Sequence, residues 1–344
     1  MAGQEFDRRS AMRWTAGAAS ALALGTRGAA QQPDKIDLFG LEVPAELGKL
    51  GFLKKPLDYA RTISAILELE RDADARGLPV SSFAMRDGPE LTTDDASFYT
   101  AAMPRLVALI DRSEGADPAL ADRSGELLSQ VNASQHSVPD ALKPGTTPPK
   151  MSRARDFASL KDEYTRLFDS IAVRAEHEKM LAWYADVVAK SKPKYEKVAS
   201  ELGVPWHFIG VIHGLEASFN FRAHLHNGDF PLTQRTRQVP AGRPIVWMPP
   251  SDWASSAKDA IRLLGFAHQS DWSLARTLHR LEAYNGFGYR RQGVPTPYLW
   301  SYSTHYDRGK FVADGSWSAT ARSRQCGAAV LIKALADAKV VTLA

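Results

Sequence analysis

The chain has 344 residues, of which 44% are hydrophobic and 24% charged, with a formal net charge of +4. This length and composition are typical of a folded globular protein with one large or two ordinary domains. Cys326 is the only cysteine, which excludes an intramolecular disulfide and a thiolate metal cluster. The modest positive charge suits an anionic surface, but no concentrated basic stripe or nucleic-acid reading motif is present, so we expect no nucleic-acid partner.

An export signal is predicted at residues 1–32. Arg8 and Arg9 precede a small apolar run, Thr15–Gly25, and Gly28–Ala30 offers small residues for cleavage. The paired arginines resemble a twin-arginine signal, although a Phe and a Leu are usual after that pair, so the ordinary secretory route stays open. A disordered basic tail is the alternative. We expect a periplasmic or secreted protein, with no integral membrane segment in the mature chain because the apolar run is shorter than the ~20 residues that span a bilayer.

The region 33–145 is predicted to be helical, and its sequence does not indicate its role. Residues 33–56 are rich in Pro, Gly and Leu, and we expect them to be irregular and to pack on the helices that follow. Apolar residues then recur at helical spacing over Leu57–Ala75, Ala96–Arg112 and Pro118–Asn132. The fold class expected for the whole chain is mainly α.

A linker is predicted at 146–155, because Pro and Gly residues crowd this part of the sequence and cannot sustain a helix. The second domain then runs over 156–344. Helical spacing recurs in it over Phe157–Phe168, Glu176–Leu202 and Ala319–Ala336. Pro193 can interrupt the second of these helices, and Gly203 suits its C-cap.

A further helix is predicted over Pro205–Phe219, where Glu216 adjoins an apolar stripe. The stripe consists of Phe208, Ile212, Leu215 and Phe219. A carboxyl at the edge of a core is partly removed from water, which favours its protonated form, and a general acid at neutral pH needs that form. A glutamate that only caps the helix or forms a salt bridge near its end is the structural alternative.

Two segments carry a family resemblance. Gly203-Val204-Pro205 and Glu216-Ala217-Ser218-Phe219-Asn220 resemble the soluble lytic transglycosylase and goose-type lysozyme superfamily, in which a catalytic Glu is followed by Ser, a variable residue, Phe, Asn and Pro. Glu, Phe and Asn are in register here, whereas Ala217 and Ser218 stand in exchanged order and Phe221 replaces the usual Pro. Downstream, Leu281–Gly288 resembles the family's Ala-Tyr-Asn-Ala-Gly segment.

The resemblance implies a lysozyme-like α (α+β) catalytic domain that cleaves the β-1,4 bond between N-acetylmuramic acid and N-acetylglucosamine in peptidoglycan strands, without a cofactor. It makes Glu216 the catalytic acid, places Tyr284 against it and gives Asn285 a contact with the sugar; Asn220 is also expected to bind substrate. A lytic transglycosylase would use Glu216 as its single acid and base. A hydrolase would need a second carboxylate, ~6.5–9.5 Å away in an inverting enzyme. Asp229 is the candidate, with an ordinary turn residue as its alternative.

The substrate groove is harder to predict, because the family's Gly-Leu-Met-Gln segment is absent and 224–243 stands in its place. Gln234 is a candidate for the missing polar contacts. His213, on the helix predicted over Pro205–Phe219, is a second candidate for a substrate contact. The aromatic-rich stretch 289–317 suits sugar rings. Within it Tyr298 and Trp300 are favoured, since Pro295 and Pro297 are expected to hold them in an extended loop.

Two other functions stay open. His213 and Glu216 are three residues apart on one helical side, and His224 and His226 follow in a loop, so a zinc-dependent peptidase is an alternative. The chain lacks the His-Glu-x-x-His signature of such enzymes, and the histidines can equally bond the backbone or a sugar. A peptidoglycan-binding protein without catalysis is the other alternative.

Overall fold

The computed structural model describes residues 35–38, 41–44, 57–78, 90–135, 148–246, 252–313 and 316–343. The predicted export signal lies outside these residues, as does the stretch 136–147 that leads into the predicted linker. The described residues are mainly helical with short strands, so the expected mainly α class is confirmed.

The N-terminal part contains a hairpin and three helices. Strands β1 (Lys35–Leu38) and β2 (Leu41–Pro44) pair antiparallel, with Lys35 opposite Pro44 and Leu38 opposite Leu41. Irregular structure was expected over 33–56, and this is wrong for residues 35–38 and 41–44; the rest of that stretch lies outside the described residues. The helices are α1 (Tyr59–Ala75), α2 (Asp95–Ser113) and α3 (Pro118–Ser134).

Aspartates begin these three helices. The side chains of Asp58, Asp94 and Asp117 each accept a hydrogen bond from the backbone N–H three residues ahead. Such an N-cap satisfies an N–H that has no partner within the helix and stabilises the helix by ~1 kcal/mol. Pro118 at the start of α3 adds a fixed φ where its missing N–H is not needed.

The C-terminal part continues with helices and a second hairpin. The helices are α4 (Phe157–Asp169), a 3-10 turn (Ala175–His177), α5 (Glu178–Lys190), α6 (Lys192–Leu202), α7 (Trp206–Ala217), α8 (Trp253–Leu263), α9 (Leu274–Asn285), α10 (Gly288–Arg291), α11 (Pro297–Trp300) and α12 (Ala328–Asp337). Strands β3 (Lys310–Ala313) and β4 (Ser316–Ser318) pair antiparallel. The long helix predicted over Glu176–Leu202 is interrupted, because Pro193 starts a new helix within it.

One hydrophobic core joins the two parts. It includes Leu106 and Val131 from the N-terminal helices together with Tyr184 and Leu215 from the later ones. The division into domains at 146–155 stays a prediction, but the described helices on either side of it do not have separate cores. The last helix begins at Ala328 rather than Ala319, and Cys326 lies just before it, fully buried.

No described helix combines the length and the apolar character that crossing a membrane requires.

Candidate functional site

Glu216 is the partly exposed residue of an otherwise buried helical segment. From Phe208 to Ala217 all residues of α7 except Glu216 are buried. A helix that is apolar on all sides belongs in a core. Glu216 is therefore the point at which solvent reaches this part of the helix. This position at the edge of the core agrees with its predicted place beside the apolar stripe.

The chain turns sharply after Glu216. Ser218 and Phe219 have positive φ angles of 49° and 64°, a left-handed conformation that costs roughly 1–2 kcal/mol for a residue with a side chain. The turn brings the Phe219 ring onto Gly214, where a Cβ atom would lie 2.6 Å from the ring. At Gly228 a Cβ atom would lie 2.3 Å from the carbonyl oxygen of Glu216. Close packing at both glycines holds the end of α7 in place.

The carboxylate of Glu216 is bound by a tyrosine. Tyr298 Oη donates a hydrogen bond to Glu216 Oε1 at 3.1 Å. Tyr298 lies on the short helix α11, whose N-terminus is capped by the Thr296 side chain. Because this helix replaces the expected extended loop, that prediction is wrong. The prediction from sequence is a sugar contact for Tyr298, whereas in the structure its hydroxyl contacts the carboxylate of the catalytic candidate.

Tyr284 lies next to this pair. Its ring is nearly parallel to that of Tyr298, with 14° between the planes and 6.4 Å between the centroids. Its hydroxyl donates to the carbonyl of Leu225 at 2.9 Å. Glu216, Tyr298 and Tyr284 thus occupy one site, to which three separate helices contribute. Asn285, the residue after Tyr284, is half-buried.

Asn220 and Asp229 have structural partners. Asn220 is fully buried, and its Nδ2 donates to Gly125 O at 2.8 Å and Ser129 Oγ at 3.1 Å. With no exposed surface it cannot touch a sugar in this conformation, so its predicted binding role is wrong. Asp229 is 6% exposed and accepts hydrogen bonds from Arg237 N at 2.6 Å and from Gln238 N and Nε2, both at 2.8 Å.

These contacts give Asp229 a structural role within its own loop. They tie its carboxylate to the backbone of the loop that follows, and the Asn227 amide adds a further bond at 3.3 Å. The role of second catalytic carboxylate stays a prediction that no contact of Asp229 supports. The turn-residue alternative agrees with all of its contacts.

His213 lies in an aromatic core cluster. Its ring packs 4.5 Å from Phe221 and 4.8 Å from Trp253, measured between centroids, and its Nδ1 is 3.0 Å from Tyr195 Oη. Burial lowers the pKa of His213 to about 3, so the ring is neutral at physiological pH. Since the side chain is fully buried, the prediction that it contacts substrate is wrong.

His224 and His226 belong to a polar network under the same loop. His224 Nδ1 is 2.9 Å from Ser256 Oγ, and its Nε2 is 2.7 Å from Gln234 O. His226 Nε2 is 2.7 Å from Asp259 Oδ2, and Arg243 donates to both oxygens of that aspartate. The network fastens the loop to α8, which carries Ser256 and Asp259.

The zinc alternative fails on these partners. His213 faces Tyr195, His224 and His226 face Ser256, and Glu216 faces Tyr298, so the four side chains do not converge. Nowhere in the described part of the chain do three His, Cys, Asp or Glu side chains group so as to hold a metal ion.

The remaining groove predictions divide in two. Trp300 is fully buried and packs against His305, so its assignment to the groove is wrong and it belongs to the core. Gln234 is exposed, so its side chain is accessible to a ligand. Its backbone oxygen is hydrogen-bonded to His224.

A buried ion-pair network, not foreseen from sequence, supports the helix of Tyr284. Arg290 donates to Glu282 Oε2 and to Glu163 Oε1, both at 2.7 Å, and Tyr164 Oη donates to Glu282 at 2.7 Å. Burial opposes the charge on Arg290, but Glu282, Tyr164 and Glu163 together outweigh it and raise the arginine pKa overall. Arg290, 1% exposed, is therefore a structural residue.

Lys310 on β3 is a buried amine close to the end of α3. Its Nζ donates to Gln135 O at 3.2 Å, and burial, together with the charge of Arg324, lowers the pKa of Lys310 to about 7. In the unfolded chain a lysine has a pKa near ~10.4. The folded state thus binds fewer protons between these two values, and the free energy of unfolding should rise with pH across that window.

We expect the Lys310→Met variant to lose this pH dependence. Between about pH 7 and about pH 9 the wild-type free energy of unfolding should rise by ~2 kcal/mol more than that of the variant, since each pKa unit is worth about 1.4 kcal/mol. Urea denaturation at several pH values measures the difference. Lys333→Met, which removes a lysine from a surface pair with Asp337, is the control. Equal pH slopes for wild type and Lys310→Met would contradict the buried neutral amine.

Comparison with known proteins identifies no relative. No family model matches the chain, and neither a curated protein nor a solved structure matches it. The resemblance to lytic transglycosylases therefore rests on the two sequence segments alone.

Proposed function

We propose that the protein is a peptidoglycan lytic transglycosylase, acting in the periplasm or outside the cell, with Glu216 as its single acid and base. The observation that carries the proposal is the hydrogen bond from Tyr298 to the half-buried carboxylate of Glu216, with the Tyr284 ring alongside. A carboxyl group at the end of a buried helix is partly removed from water, which favours the protonated form that general acid catalysis needs, and the aromatic hydroxyl orients it.

The reaction would proceed in two proton transfers. The protonated carboxyl of Glu216 gives its proton to the oxygen that links the two sugars, and the bond from that oxygen to C1 of the muramic acid breaks. The resulting carboxylate takes the proton of the muramic C6 hydroxyl as the C6 oxygen bonds to C1. A 1,6-anhydro ring forms, Glu216 is protonated again, and no water is consumed.

Tyr298 would serve both steps. Its hydroxyl donates to Oε1 of the carboxyl group that exchanges the proton with substrate. A hydrogen bond to a carboxylate is stronger than one to a neutral acid, so Tyr298 stabilises the ionised form that exists between the two transfers. It also keeps the carboxyl group oriented.

The contacts of Asp229 favour the transglycosylase over a hydrolase. A hydrolase needs a second carboxylate that can activate water. The Asp229 carboxylate instead accepts bonds from Arg237 and Gln238 in its own loop. A mechanism with one carboxyl group requires nothing more from this residue.

The polar groups suited to hold the glycan are Asn285 and Gln234. Asn285 is half-buried next to Tyr284, and Gln234 is exposed on the loop that follows α7. We infer that Asn285 contacts the sugar next to the cleaved bond and that Gln234 contributes a more distant, weaker contact.

Product analysis tests the proposal. Purified peptidoglycan sacculi incubated with the protein should release muropeptides that end in 1,6-anhydro-muramic acid, identified by a mass about 18 Da below that of reducing ends. The Glu216→Gln protein, purified in the same way, controls for contaminating enzymes. Reducing ends would indicate a hydrolase, and binding to sacculi without any release would indicate the non-catalytic alternative.

A further inference from the structure

We propose that helix α3 of the N-terminal region is part of the catalytic centre, and that Asn132 is the residue on it that positions Glu216. This inference rests on the function proposed above. It gives a role to a region whose sequence indicates none.

Asn132 holds the end of α7 at two points. Its Nδ2 donates to the carbonyl oxygen of Glu216 at 2.8 Å, and its Oδ1 accepts from Ser218 Oγ at 2.6 Å. Asn132 is 4% exposed and Ser218 is fully buried, so water does not compete freely for these bonds. One side chain therefore fixes the residues on either side of Ala217.

The backbone of α7 needs such a partner. The last carbonyls of a helix have no N–H partner within it, and a buried carbonyl without a hydrogen bond is costly. The carbonyl of Glu216 is among these, and the left-handed turn at Ser218 prevents the helix from continuing past it. The Asn132 amide supplies a donor from a different part of the chain.

Neighbouring groups hold Asn132 itself. Gln135 Nε2 lies 3.4 Å from Asn132 Oδ1 and 3.5 Å from Ser218 Oγ, and the Gln135 carbonyl accepts from Lys310. Gln325 Nε2 donates to the carbonyl of Leu215 at 2.7 Å, which secures the residue before Glu216. These buried polar contacts leave the final turn of α7 little freedom to shift.

Such restraint matters because proton transfer depends on position. A displacement of ~1 Å at a reacting group can reduce the rate by about 100-fold. Loss of the Asn132 amide should thus impair the chemical step and leave substrate contacts elsewhere largely intact.

The kinetic test compares three variants. Asn132→Ala removes both bonds, whereas Asn132→Asp keeps an acceptor for Ser218 and loses the donor to Glu216. Both should lower kcat by about 10- to 100-fold with KM changed by less than ~3-fold. Asp122→Ala is the control, because Asp122 on α3 pairs with Arg222 beyond the turn and does not touch Glu216. Its kcat should stay within ~2-fold of wild type.

Amide hydrogen exchange provides a readout that does not need activity. In both Asn132 variants the amides of Ser218 and Asn220 should exchange at least ~10-fold faster, while those of α5 stay unchanged. Unchanged exchange at these amides, or unchanged kcat in both variants, would overturn the proposal. Faster exchange in a protein whose wild type cleaves no peptidoglycan would support the contact between α3 and Glu216 and overturn only the proposed function.

Discussion

The Glu216→Gln variant should release anhydromuropeptides ~1000-fold more slowly than wild type, because general acid and base catalysis by one side chain contributes about 10²- to 10⁴-fold. Glutamine has nearly the shape of glutamic acid and can still accept the hydrogen bond from Tyr298. It cannot give a proton to the leaving oxygen or take one from the C6 hydroxyl. Rates of release from labelled sacculi, followed by chromatography, measure the effect.

Two controls make this result specific. The variant should unfold at a temperature close to that of wild type, since it removes a charge and no packing. Glu176→Gln, a change at an exposed glutamate outside the site, should leave release unchanged. A Glu216→Gln protein that keeps more than about a tenth of wild-type release would show that another group supplies the proton.

The second large effect concerns the buried arginine. Arg290→Met should reduce the free energy of unfolding by ~3–5 kcal/mol, because removing one partner of a buried ion pair leaves an uncompensated charge. Here Glu282 and Glu163, at 1% and 10% side-chain exposure, would both lose their common cation. Urea denaturation followed by circular dichroism gives the value.

Arg291→Met is the matched control for this change. Arg291 is the next residue and is exposed, so its loss should alter stability by less than ~0.5 kcal/mol. Adding Glu282→Gln to Arg290→Met should recover part of the lost stability, since the buried negative charge is then removed. A loss below about 1 kcal/mol in Arg290→Met would mean that water reaches the two carboxylates.

Local sequence signals predicted the helices well. The segments expected over Leu57–Ala75, Ala96–Arg112 and Pro118–Asn132 match α1, α2 and α3 to within a few residues. Apolar spacing and capping residues act within a few residues of one another, so they are visible in the sequence. Apolar spacing and a capping residue are also present at α8, where Asp252 caps an amphipathic helix that was not predicted.

The partners of the site residues could not be predicted in this way. The helical spacing of apolar residues placed Glu216 beside an apolar stripe. That spacing contains no information on which distant residue contacts Glu216. Asn132 reaches Glu216 across 84 positions and Tyr298 does so across 82. Sequence likewise could not distinguish Trp300, an aromatic of the core, from Tyr298, whose hydroxyl reaches the carboxylate.

The buried position of Cys326 has a practical consequence. The side chain is fully enclosed, and burial raises the pKa of its thiol well above the ordinary range, so the reactive thiolate is scarce. The folded protein should resist alkylation and should not cross-link through this sulfur in an oxidising compartment. A cysteine introduced on the surface would then be the single site that takes a maleimide dye, and fluorescence could report on the proposed glycan binding with no background label.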